Sequence, residues 1–181
     1  MKRFITNLPN EKFCNVFKML RKKNRLHYMD MTHILFAATL VALLLVCGVF
    51  WGLYFALSRS YEVFSAAELA KIARTIVTNL EVPMRNISLV CLALLCLSIA
   101  FYPEKSNWEF DAMITSLMLL VGALIITTAI EVPINRQVVT WTDENTPGNW
   151  QNLRGRWQYF NVFRMVLALM SFALFAIAAT I

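Results

Sequence analysis

Polar positions along this chain are gathered into clumps, with long apolar stretches between them. No charged side chain occurs from Ile34 to Leu57, from Asn86 to Pro103, from Ala112 to Ile130, or from Met165 to Ile181. A bilayer core about 30 Å thick is crossed by about 20 apolar residues in helix. Each gap is near that length, and the last reaches it when the helix begins around Trp157. A soluble bundle would instead show polar faces at helical period. The pattern predicts an all-α fold, a four-helix transmembrane bundle with spans at about 34–57, 83–102, 112–130 and 152–181. The first apolar run is too long for the core of a cleavable signal, so it reads as an anchor that stays.

Ahead of this membrane domain (34–181), residues 1–33 form a basic segment with eight Lys and Arg against Glu11 and Asp30. The positive-inside rule puts that end in the cytoplasm, making the protein integral to an inner or plasma membrane. Phe13, Phe17 and Leu20 recur at helical spacing among the lysines. This fits a short helix on anionic headgroups or a solvated tail. In span one, Gly48 and Gly52 have the small-xxx-small spacing that permits close helix approach, within the chain or between two copies. Ser65-Ala-Ala-Glu68 is a capping box. It predicts a short interfacial helix over 65–80 leading into span two, with Pro83 in that span's first turn. Span three is expected to end at Glu131-Val132-Pro133, because the residue before a proline resists the helical region.

Two near-identical hexapeptides mark span boundaries: EVPMRN at 81–86 and EVPINR at 131–136. The first begins span two and the second ends span three. An antiparallel hairpin through the turn at 103–111 therefore brings both to one membrane face, where span four also begins. The sequences flanking the hexapeptides do not align, so they read as two local solutions to one boundary problem. On that face collect Glu81, Arg85, Asn135, Trp150, Arg154, Trp157, Asn161 and Arg164, with Glu131 beside them. With the N-terminus inside, the face is exoplasmic. At 100° per residue, Arg154, Trp157, Asn161 and Arg164 share an arc of about 80° on span four. Arg164 lies about 10 Å deeper than Trp157. A cation there must snorkel, meet water or pair, and Glu131 and Glu81 are the acids placed to reach it. Competing readings are headgroup anchoring for Trp141, Trp150 and Arg156, and a purely structural ion pair for Arg164.

Composition narrows the chemistry. Of 181 residues, 59% are hydrophobic and 15% charged, against about a quarter charged in soluble domains. The net charge of +6 lies mostly in the N-terminal segment, so it reads as topology and not as nucleic-acid binding. The four cysteines, Cys14, Cys47, Cys91 and Cys96, form no Cys-x-x-Cys pair and suggest no disulfide framework. His27-x-x-Asp30-x-x-His33 spans too wide an arc for one metal and sits at the opposite face. No histidine follows residue 33, which argues against haem or zinc at the cluster. Neither a phosphate loop nor a nucleophile elbow occurs. No metal and no cofactor is expected; the partners are membrane lipid and a hydrophobic small molecule.

The stretches EVPINRQVVTW at 131–141 and NWQNLRGRWQYFNVFR at 149–164 resemble the four-span anthrone oxygenase family. The matching positions are Pro133, Ile134, Asn135, Trp141, Trp150, Arg154, Trp157, Asn161 and Arg164. That resemblance implies, for some members, cofactor-free oxygenation of a tricyclic anthrone to an anthraquinone. Such chemistry needs a base, cationic groups for the resulting anion and aromatic walls. Glu131 or Glu81 offers the base, and Arg164 and Arg154 hold the anion. Asn135 and Asn161 offer hydrogen bonds, while Trp150 and Trp157 offer stacking. A binding protein without catalysis, or a structural subunit of a membrane complex, has the same inventory.

Overall fold

The computed structural model of the protein describes residues 10–57, 63–142 and 144–180; of the side chains before Met31, only that of Met19 is described. The described chain is all helix, with no strand. It comprises α1 (Asn10–Ala56), α2 (Ala66–Phe101), α3 (Trp108–Ile126), α4 (Val132–Val139) and α5 (Trp150–Thr180), with a π turn (Thr127–Glu131) joining α3 to α4. Four helical stretches are long and apolar enough to cross a membrane: Met31–Ala56, Ala66–Phe101, Trp108–Val139 and Trp150–Thr180. The protein thus has the build of an integral membrane protein.

Helix boundaries depart from the expected ones wherever a local rule met tertiary packing. The basic segment is continuous with span one from Asn10 onward. Whether its Phe13, Phe17 and Leu20 face lies on headgroups falls outside the described side chains. Helix α2 begins where the capping box predicts. The Ser65 hydroxyl oxygen accepts from the Glu68 backbone N–H at 3.4 Å, and the Ser65 N–H donates to Glu68 Oε2 at 2.9 Å. The helix then runs through Pro83 without interruption, so the segment over 65–80 and span two are one element. Span three likewise does not stop at Pro133. The π turn over Thr127–Glu131 widens the helix just before the proline, and α4 carries it on to Val139. A proline denies its i−4 carbonyl a hydrogen bond. Widening the preceding turn is one way a helix absorbs that loss. At the other end of α3, Asn107 caps the helix by accepting from the Phe110 N–H.

Packing closes the bundle into a ring: α3 lies along α5, α5 against α1, α1 against α2, and α2 against α3 and α4. The main core contains Leu43, Val46, Cys91, Leu95, Met113, Leu120, Ala168 and Phe175. Small polar residues join the helices inside it. Ser116 and Ser171 each donate to the other's carbonyl at 2.8 Å, and Thr39 and Ser98 are 2.8 Å apart. Such pairs bring helices together where apolar burial adds little drive. The glycines of α1 are not used this way inside the chain. Among the described residues, a Cβ at Gly48 or Gly52 would meet nothing within 4 Å, because that edge of α1 faces outward.

A second apolar cluster lies at the end of the bundle that carries the hexapeptides. Here Leu69, Ala70 and Ala73 from the start of α2 pack on Ile134, Val138, Trp141 and Trp157. Arg74 secures the contact, donating to the Val139 carbonyl at 3.0 Å and to the Trp141 carbonyl at 2.7 Å. The Val139 carbonyl is an orphan at the end of α4, where a cation is favoured, and that of Trp141 lies just beyond it. Trp141, a candidate headgroup anchor by sequence, is buried in this cluster with 2% of its surface exposed.

Candidate ligand-binding site

Beside this second cluster, the ring of helices lines an open-sided cavity of about 680 Å³. Its long wall is one face of α2, from Ile76 to Leu92, an axial distance of about 24 Å at 1.5 Å per residue. Val49, Phe50 and Leu53 of α1 and Val121, Leu124 and Ile125 of α3 supply further apolar wall. Polar groups form a belt across it: Glu81, Arg85 and Ser88 from α2, Thr127 and Thr128 from the π turn, Asn135 and Arg136 from α4, and Arg164 from α5. Both hexapeptides therefore face one cavity. The first contributes Glu81 and Arg85, the second Pro133, Asn135 and Arg136.

Arg164 is the inner member of the belt and is held from every side. Of the stripe predicted on α5 from helical spacing, Trp157, Asn161 and Arg164 are buried and Ala168 continues it inward, whereas Arg154 is only half-buried. On Arg164, Nε and Nη2 donate to Asn161 Oδ1 at 3.1 and 2.9 Å, and Nη1 donates to Thr127 Oγ1 at 3.5 Å. The guanidinium carbon lies 4.6 Å from the centre of the Phe50 ring, a cation–π distance. Glu131, with 1% of its surface exposed, places Oε2 3.7 Å from Arg164 Nη2. At that distance the attraction is Coulombic and not a direct hydrogen bond. The Trp157 indole adjoins the same carboxylate.

The two carboxylates are thus distinguished by position. Glu131 sits behind the guanidinium as its counter-ion and is not part of the cavity wall, whereas Glu81 lines the cavity. Asn161 also supports Arg164 from behind, and Trp157 adjoins Glu131; neither lines the cavity. Trp150 and Arg154 lie elsewhere: the Arg154 guanidinium stands 5.3 Å from the Trp150 ring centre, and neither residue lines the cavity. Sequence reasoning did not find Phe50, Thr127, Thr128 or Ser88. The three hydroxyl residues sit in apolar runs where they read as ordinary membrane-helix residues. Nothing in the one-dimensional pattern marks Phe50 as the residue under the guanidinium.

The family profile described as anthrone oxygenase matches residues 78–174. The matched region covers the whole polar belt and contains the Arg164–Glu131–Asn161 group; it leaves out only the wall residues of α1 and Ile76 and Val77 of α2. No curated protein and no solved structure matches the chain.

Proposed function

The chain belongs to the anthrone oxygenase family, and on that premise we propose that its cavity binds a flat hydrophobic small molecule with an ionisable oxygen. The observation that carries this reading is a cavity of about 680 Å³ with mostly apolar walls and a guanidinium at its inner wall. Pockets that bury small ligands have that composition: apolar surface for the body and a few placed polar groups for orientation. Arg164 receives the ligand oxygen. Its charge is already balanced by Glu131 and its orientation fixed by Asn161 and Phe50. The basic segment at residues 1–33 supports a cytoplasmic N-terminus, which puts the mouth of the cavity on the exoplasmic side.

Family membership favours a second, more specific reading, cofactor-free oxygenation of an anthrone-like ketone. The methylene carbon opposite the ketone loses a proton to a base, for which Glu81 is the carboxylate on the wall. Negative charge moves to the ketone oxygen, where Arg164 stabilises it. The carbon then takes up dioxygen and the proton returns, giving a hydroperoxide. Loss of water leaves a second carbonyl, so dioxygen supplies the whole oxidation, with one oxygen atom in the product and one in water.

Purified protein in lipid nanodiscs, given an anthrone and dioxygen without added cofactor, tests both readings. Binding with accelerated quinone formation supports the oxygenase. Binding without acceleration leaves the binding protein. With no binding by several flat ketones, the cavity is structural and both readings fail. Arg164→Leu should weaken binding by about tenfold or more, the loss of one charge-assisted hydrogen bond, while the protein still inserts into membranes.

A further inference from the structure

Both hexapeptides bring a guanidinium to the cavity, Arg85 from α2 and Arg136 from α4. Each is exposed as well as lining the cavity, so both stand at its rim. Among the described residues neither makes an ion pair or hydrogen bond, unlike Arg164, whose charge is matched by Glu131. Glu81, the one acid on the wall, offsets one of the two charges and leaves the rim cationic. Apart from the belt, the walls are apolar. Leu89 of α2 and Ile125 of α3 both line the cavity, yet each is 58% exposed. Two such residues on facing helices, in spans that lie in lipid, make a side opening toward the acyl chains. A polar substrate dissolved in water has no use for that opening. An amphiphile already partitioned into the bilayer does.

We infer that the cavity takes an anionic amphiphile from the bilayer, its apolar body passing between α2 and α3 and its acidic group held at the rim by Arg85 and Arg136. The inference rests on the cavity being a ligand site, as proposed above, and adds the ligand's charge and its route. Two guanidinium groups suit a carboxylate or a comparable two-oxygen anion, which each can meet with paired N–H donors. The repeated sequence then has a purpose beyond marking a boundary: each copy delivers one side of the clamp.

Binding of anthracene carboxylate and of uncharged anthracene carboxamide, measured by fluorescence in phosphatidylcholine nanodiscs, tests this. Wild type should hold the carboxylate about tenfold more tightly than the amide, the lower end for a charge-assisted contact. The double variant Arg85→Gln/Arg136→Gln should lose that preference, bringing its affinities for the two probes within about twofold of each other, and it should still fold, since both side chains are exposed. A second variant, Leu89→Trp, should slow association of both probes by narrowing the side opening. Adding phosphatidylglycerol distinguishes the source of the anion. Competition in wild type but not in the double variant assigns the clamp to a lipid headgroup; no competition assigns it to a non-lipid acid partitioned into the bilayer; both support the clamp. Equal affinity for the two probes in wild type, or a preference that survives in the double variant, overturns the clamp while leaving the site. Unchanged association rates in Leu89→Trp overturn the lateral route. Failure of wild type to bind either probe overturns the underlying reading of the cavity as well.

Discussion

Arg164 shows how one residue can be read from sequence and still be incompletely understood. Its depth and the run of apolar residues after it require a partner, and helical spacing puts Asn161 on its own face. Both hold in the structure, with Asn161 accepting twice and Glu131 as counter-ion. The Phe50 ring and the Thr127 hydroxyl could not be anticipated, because both depend on how α1 and the π turn are set against α5. Removing one member of a buried ion pair exposes the other to an uncompensated environment. Glu131→Gln should therefore cost on the order of 3–5 kcal/mol of stability, seen as a lower melting temperature in detergent. An unchanged melting temperature would mean that Asn161, Thr127 and Phe50 suffice to accommodate the charge. The residue to compare is Glu81→Gln. As a wall residue it should leave stability within about 0.5 kcal/mol and change only what the cavity binds or does.

Among the elements, caps were legible and breaks were not. Ser65 and Glu68 form their capping box as the four-residue pattern requires, because its partners are local. Ser65→Ala should cost about 1 kcal/mol, measured as a shift in unfolding midpoint. A null result would mean that contacts of Leu69 and Ala73 in the second cluster hold the start of α2 unaided. Pro83 and Pro133 were expected to mark helix ends, and both lie inside continuous helix instead. In a membrane an interrupted helix would leave backbone groups in lipid, so the chain tolerates the missing N–H and bends or widens. The π turn is the product at Pro133, and it places Thr127 toward Arg164 and Thr128 on the cavity wall. Propensity rules drawn from helices in water overstate proline as a stop signal here.

At the scale of the molecule, the span count alone predicted that distant segments share one end, and the common cavity of the two hexapeptides follows from it. Less visible was the second apolar cluster, since the residues on α2 and α4 that form it are separated by a whole hairpin. Arg74, with no obvious role in one dimension, closes that contact through two backbone carbonyls. Impermeant thiol labelling checks the arrangement: Asn86→Cys and Gln137→Cys, both at exposed positions, should react from the same side of sealed vesicles. Reaction from opposite sides would separate the hexapeptides and dissolve the site.

Because Glu131 and Arg164 come from the third and fourth spans, they can meet only once the fourth span has been made. Until then Glu131 has no cation beside it and must take up a proton or stay near water. A product truncated after the third span should be degraded faster than the finished chain, because it lacks both that cation and the packing of α5 against α3 and α1.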